Sequence, residues 1–193
     1  TYMDLPALVF PPDPSLPPVP DEAACVRLWD KYGMLPNIRA HSRTVARVAL
    51  DVAERAVALG HTVDVPALRA AALLHDLAKT YTILHGGAHA QLGAAWVREE
   101  TGRPDLARAV LFHVSWPWTE GPSALGADPL RLPLLVSYAD KRARHDEVVG
   151  LEERFEDLLN RYGDTEEHRA LIAANREQAL TYERALTALV GTI

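Results

Sequence analysis

Cysteine is nearly absent. Cys25 stands alone among 193 residues, so no intrachain disulfide can form and a thiolate metal site is excluded. A reducing, cytoplasmic location is expected. Long apolar runs are missing as well. None approaches the ~20 residues that a membrane span needs, no signal-peptide pattern is visible, and no membrane association is expected. The chain also lacks an excess of positive charge. Its 20 Lys and Arg against 26 Asp and Glu leave a net charge of −6, which argues against a general nucleic-acid binder, and no stable nucleic-acid partner is expected. Strand-like alternation and internal repeats are absent throughout.

What is present is a globular composition, 48% hydrophobic, long enough for one domain with a real core or a domain plus a short extension. Residues 1–20 hold half of the prolines: Pro6, Pro11, Pro12, Pro14, Pro17, Pro18 and Pro20. That segment cannot be helical and reads as an extended arm or linker. Helical periodicity then takes over. Asp21 is positioned to cap a helix ending near Tyr32, and Gly33 stops it. Pro36-Asn37 opens a helix over about 38–59 whose apolar stripe is Ile38, Val45, Val48, Val52, Ala56 and Leu59. Asp64 caps a third helix running to about Lys79, with Pro66 near its start. Further helices are predicted over about 87–100, 104–113, 130–144, 151–161 and 165–190, the last with Leu171, Ala179, Tyr182, Leu186 and Leu189 facing inward. A long irregular loop spans 114–129 and contains Trp116 and Trp118. The fold class is all-α, a bundle of about seven or eight helices.

The stretch Leu74-His75-Asp76-Leu77-Ala78-Lys79 carries the chemistry. An adjacent imidazole and carboxylate at the end of an apolar helical run are poor core material, because burying a polar group without a partner costs on the order of 2–7 kcal/mol. A metal ion offsets that cost. His41, His89, His113 and Asp140 join the pair, each on or beside the apolar stripe of its own predicted helix. Imidazole plus carboxylate suits Fe, Mn, Co, Ni or Zn rather than Ca or Mg alone. Four histidines and two aspartates exceed one ordinary site and suffice for two ions, with Asp76 as the natural bridge. His85 reads as a loop residue beside Gly86-Gly87, and His61, His145 and His168 as solvent-facing.

The order H…HD…H…H…D resembles the HD-domain superfamily of metal-dependent phosphohydrolases. The resemblance rests on Leu35-Pro36-Asn37-Ile38-Arg39-Ala40-His41-Ser42, on Leu74 to Lys79, on His89-Ala90-Gln91-Leu92-Gly93-Ala94 and on Tyr138-Ala139-Asp140-Lys141, and covers about residues 36–145. It implies an HD-type domain over 21–193, with His41, His75, Asp76 and Asp140 holding one divalent ion and His89 and His113 completing a second. Leu77-Ala78 stands where the familiar motif has Ile-Gly. The Tyr-Gly-Pro signature of cyclic-di-nucleotide phosphodiesterases is absent, so that activity is not expected.

The expected activity is hydrolysis of a phosphoester or phosphoanhydride in a nucleotide-like small molecule, through a metal-bound hydroxide. Asp76 and Lys79 are the candidate catalytic residues, although a ligand carboxylate is a poor base. Lys79, Lys141, Arg142 and Arg144 are the candidate phosphate-binding cations, and Trp116 a candidate wall for a base. A homodimer is one assembly this reading allows. Two alternatives stand beside it. One is an HD-type di-iron oxygenase, told apart by oxygen uptake against phosphate release. The other is a non-catalytic regulatory HD module, against which the intact ligand set argues.

Overall fold

Nine helices and one short hairpin make up the described residues, 15–117 and 128–193, of this computed structural model. Residues 1–14 of the proline-rich segment, and Trp118 with the rest of 118–127, lie outside the described residues. Helix α1 (Glu22–Lys31) begins where the Asp21 carboxylate accepts the Ala24 N–H at 2.7 Å. Helix α2 (Pro36–Ala58) carries a long apolar stripe, burying Ile38, Val45, Val48, Val52 and Ala56. Leu59 falls past its end and is 60% exposed, so it does not continue the stripe. Asp64 caps α3 (Val65–Leu74) by accepting the Ala67 N–H at 3.1 Å.

Helix α3 is the axis of the molecule. Its residues from Ala67 to Leu74 are buried except Arg69, and it packs against α1, α2 and two later helices. Trp29 of α1 donates its indole N–H to the Leu73 carbonyl at 2.9 Å, satisfying one of the acceptors that a helix end leaves open. The α3 helix stops at Leu74, short of the predicted Lys79. Residues 75–78 form tight turns in which Leu77 N–H bonds the Leu74 carbonyl and Lys79 N–H the Asp76 carbonyl. A separate helix, α4 (Lys79–His85), follows, and this break raises the count above the predicted seven or eight.

Helix α5 (His89–Thr101) and α6 (Pro104–Leu111) form an antiparallel pair. Gly93 allows their close approach: a Cβ there would lie 3.2 Å from Val110 Cγ1 and 3.7 Å from Ala78 Cβ. At the connecting turn Gly102 has φ +65°, and Pro17 sits against it while accepting an Arg103 N–H through its carbonyl at 3.0 Å. Helix α7 (Leu132–Lys141) ends before the predicted Arg144. The chain there turns through strands β1 (Ala143–Arg144) and β2 (Glu147–Val148), two antiparallel residues each, which the sequence did not announce. His145 makes the turn at φ +54°, a left-handed conformation uncommon for a residue with a Cβ.

Helices α8 (Leu151–Tyr162) and α9 (Glu166–Val190) close the chain as a hairpin. Helix α9 buries Ile172, Ala179, Tyr182 and Leu186. Leu171, predicted inward, is 55% exposed, because the apolar face of α9 is turned by one residue to Ile172 at that end. No helix of the described residues is long and apolar enough to cross a membrane.

Candidate metal centre

Five elements deliver the ligand-type side chains to one place. His41 comes from the second turn of α2, and His75 and Asp76 come from the turn after α3. His89 is the first residue of α5, His113 follows the end of α6, and Asp140 lies in the last turn of α7. His75 keeps helical dihedrals past the end of α3, φ −59° and ψ −35°, and its Nε2 lies 3.6 Å from Asp76 Oδ2.

Asp140 Oδ1 is 3.0 Å from His41 Nε2 and 3.8 Å from His75 Nε2. Asp76 Oδ1 is 3.3 Å from His89 Nε2 and 3.6 Å from His113 Nε2, and those two nitrogens are 3.2 Å apart. Donor atoms of His41, His75 and Asp140 all lie within 4.8 Å of one another, as do those of His75, Asp76 and His113. Asp76 is thus turned two ways, with Oδ2 toward His75 and Oδ1 toward His89 and His113.

The outer nitrogens are already committed. His75 Nδ1–H donates to the Ala72 carbonyl at 2.7 Å, His113 Nδ1–H to the Val110 carbonyl at 2.6 Å and His41 Nδ1–H to the His145 carbonyl at 2.9 Å. A neutral imidazole whose Nδ1 holds the proton presents a lone pair at Nε2, the usual arrangement of a ligating histidine. His113 is held further by its own carbonyl, which accepts from Ser137 Oγ at 2.8 Å and Lys141 Nζ at 2.7 Å.

The charges follow from burial and crowding. Burial pushes His75 down from 6.5 to about 4, against the pull of Asp76. Burial and the Lys79 ammonium bring His89 to about 3. Both rings are therefore neutral near pH 7. Burial also pulls on His41, but the Asp140 carboxylate outweighs it and its pKa rises. Asp76 and Asp140 are held well below the usual carboxylate range despite burial, Asp76 chiefly by Lys79 and His75, Asp140 chiefly by Lys141 and His41.

Two atoms test whether an ion fits. His75 Nε2 and Asp76 Oδ1 are buried and have no hydrogen-bond partner. Buried acceptors left without a donor are costly and rare in native proteins. Donor atoms about 2.0–2.2 Å from a shared transition metal lie about 3–4 Å from one another, which is the spacing seen here. Two donor sets therefore have the spacing of metal ligands, His41 with His75 and Asp140, and His75 with Asp76 and His113.

A cavity of about 560 Å³ opens above the cluster. It is lined by His41, Asp76, His89, His113 and Asp140, and by Lys79 and Lys141 from the predicted cations. Lys79 Nζ lies 3.3 Å from Asp76 Oδ2, and Lys141 Nζ lies 3.2 Å from Asp140 Oδ2. Arg142 and Arg144 do not line it. Because α7 ends at Lys141, Arg142 turns to the Val149 carbonyl and to Tyr138 and Glu183, and Arg144 pairs with Glu147 and Glu153. Trp116 does not line this cavity: it is buried, its backbone bonded to the Gln178 amide, and it walls a neighbouring cavity of about 550 Å³ that His89 also lines. His85 lies tilted against the Tyr81 ring, centroids 4.5 Å apart, and does not line the cavity. Residues that sequence reasoning missed come from the α8–α9 hairpin and the β-turn. Arg154, Phe155, Arg161 and Asn175 line the cavity, as does His145. Their one sequence signal is that Arg154, Leu158 and Arg161 recur at helical spacing, so that cations share a face with apolar residues.

Over 82 residues, 42% of this chain, the sequence is 34% identical to a tRNA (cytidine(56)-2'-O)-methyltransferase of Thermoplasma volcanium. The chain spans only 22% of that relative's length. No solved structure matches. The HD domain family model matches residues 38–145, more than half of the chain and the segment that holds all six clustered histidines and aspartates. This chain belongs to the HD domain family, a family of metal-dependent hydrolases.

Proposed function

We propose that this protein is a phosphohydrolase that uses two divalent transition-metal ions to cleave a phosphoester or phosphoanhydride in a nucleotide-like small molecule. The observation that carries the reading is the pair of unpartnered buried atoms, His75 Nε2 and Asp76 Oδ1, next to a cavity whose lining includes Asp76, Lys79 and Lys141. His41, His75, Asp76 and Asp140 would hold the first ion, and Asp76, His89 and His113 the second. When bound, such ions lower the pKa of a coordinated water and neutralise charge on the phosphoryl oxygens.

The chain's own residues supply the rest. Asp76 turns Oδ2 toward His75 and Oδ1 toward His89 and His113, so it would serve both ions. The Ala72, Val110 and His145 carbonyls hold three imidazoles in the tautomer that offers Nε2. Lys79, 36% exposed at the cavity wall, carries a proton and stands next to Asp76, where it stabilises the negative charge that grows on the phosphoryl and leaving oxygens. Lys141 is buried, and anchors His113 and Asp140 from beneath. The methyl transfer named for the Thermoplasma relative is not carried over, since the shared stretch is about a fifth of that protein.

The test is metal analysis of protein purified without chelator, followed by a nucleotide screen for phosphate release. The expected result is up to two ions per chain and release that stops on chelation. Oxygen uptake without phosphate release from metal-loaded protein would replace this reading with an oxygenase.

A further inference from the structure

The cations of the cavity fall into two sets with different surroundings. Lys79 and Lys141 lie against Asp76 and Asp140 and belong to the floor. Arg154 and Arg161 stand on α8, outside the segment matched by the family model. Asp157 sits between them, accepting from Arg154 Nη1 at 3.2 Å and from Arg161 Nε at 3.0 Å. One carboxylate shared by two guanidinium groups leaves one positive charge uncompensated. Arg161 also bonds the ring of His145, whose carbonyl holds His41, so this pair is tied to the floor through the β-turn.

Arg154 is the informative member. Its side chain is only 14% exposed, and its Nε–H is buried without an acceptor. A buried charged donor left unused in this way is out of place in a purely structural ion pair. It is in place where a ligand oxygen arrives. Guanidinium groups bind phosphate through two parallel N–H donors, a geometry that Nε and Nη2 of one arginine provide. The cavity has room for more than one phosphate, and Phe155 and Leu158, on α8 with the arginines, keep its wall apolar.

We infer that Arg154 and Arg161 form a subsite for a second, non-scissile phosphate, so that the substrate carries two or more linked phosphates. The inference rests on the phosphohydrolase reading and specifies its substrate class. The reacting phosphoryl group lies over the histidine and aspartate floor, and the neighbouring phosphate reaches across to α8.

Calorimetric titration of the full chain at constant free Mn²⁺, with inorganic phosphate and with inorganic diphosphate, tests it. Diphosphate should bind more tightly to the wild-type protein. Arg154→Gln should weaken diphosphate about tenfold, the worth of one charge-assisted contact, and leave phosphate affinity unchanged. The unchanged phosphate affinity also reports an intact floor. Arg154→Lys, which keeps the charge and loses the fork, should recover only part of the loss. Arg161→Gln, at a more exposed position, should act in the same direction and decides the matter if Arg154→Gln does not fold. Equal weakening of both anions, or no weakening of either in both variants, would overturn the subsite and leave the phosphohydrolase reading standing. A metal-loaded wild-type protein that binds neither anion would overturn both.

Discussion

Lys79 separates metal binding from catalysis. A protonated ammonium has no lone pair and cannot be a ligand, yet Lys79 Nζ lies 3.3 Å from Asp76 Oδ2. Lys79→Met keeps the apolar stem and removes the charge. The variant should bind metal at wild-type stoichiometry and release phosphate about 10²–10³-fold more slowly, the usual loss when one positioned electrostatic donor is removed. Wild-type turnover on a confirmed substrate would make the lysine structural, and loss of metal would make it a support for Asp76. His75 gives a pH-dependent expectation for the chelator-treated protein. Burial lowers its pKa from 6.5 to about 4, so between those values the unfolded chain takes up a proton that the folded chain refuses. Stability should therefore be full above about pH 6.5 and decline toward pH 4, by on the order of 3 kcal/mol from His75 alone. His89, lowered to about 3, acts in the same direction. His41, whose pKa is raised, acts oppositely: its contribution is full below 6.5 and is lost as the pH rises through its folded value. Urea midpoints measured from pH 7 down to 4.5 check this, and a flat profile would mean that His75 is protonated when folded. The six ligand-type residues were legible in the sequence, because few other reasons put histidine and aspartate on apolar stripes. Arg154 and Arg161 were not, since cations on an amphipathic helix look the same whether they face water or a cavity.

At the level of elements, the α5–α6 contact places His89 and His113 side by side, because α5 starts at His89 and α6 leads into His113. A side chain at Gly93 would press on Val110 and Ala78. Gly93→Val should cost about 1–3 kcal/mol of stability through overpacking and lower the affinity of one ion while sparing the other. Urea denaturation together with metal counts at limiting metal checks both halves. A variant that is destabilised yet holds two ions at wild-type affinity would show that the helix contact does not position the histidines. The β-turn plays the same part for His41. Thr44 of α2 donates to the Asp146 carbonyl at 3.0 Å, which fixes the turn whose His145 carbonyl orients His41. Thr44→Val should weaken metal binding about tenfold with little change in fold, as second-layer substitutions around metal sites do; unchanged affinity by competition with a chelator dye would remove the turn from the site. Helix starts at Asp21 and Asp64 were readable from capping chemistry. The stop at Leu74 was not, because Leu77 and Ala78 are good helix formers and the turn comes from i to i−3 bonds that satisfy the backbone equally well.

For the molecule as a whole, the all-α architecture followed from periodicity, but the closing of the α8–α9 hairpin over the cavity did not, since an amphipathic helix announces that it has a partner and not which one. Removing metal should lower the melting temperature of the whole domain. An ion present at 1,000 times its Kd stabilises the folded state by about 4 kcal/mol. Thermal scans with and without chelator measure it, and an unchanged midpoint would show that the cluster binds no ion under those conditions.

His41 and Asp140, 3.0 Å apart in space, are 99 residues apart in the chain. Between them lie every other candidate ligand and four whole helices, α3 to α6. Closing a loop of that length costs entropy before any contact repays it, so an ion that needs both residues has nothing to grip on a growing or partly folded chain. In small zinc modules, by contrast, metal binding drives folding. Here the helices must assemble first. On the metal-dependent reading proposed above, metal loading would then be the last act of maturation, and the supply of ions would decide how much of the finished protein is active, not how much of it is made.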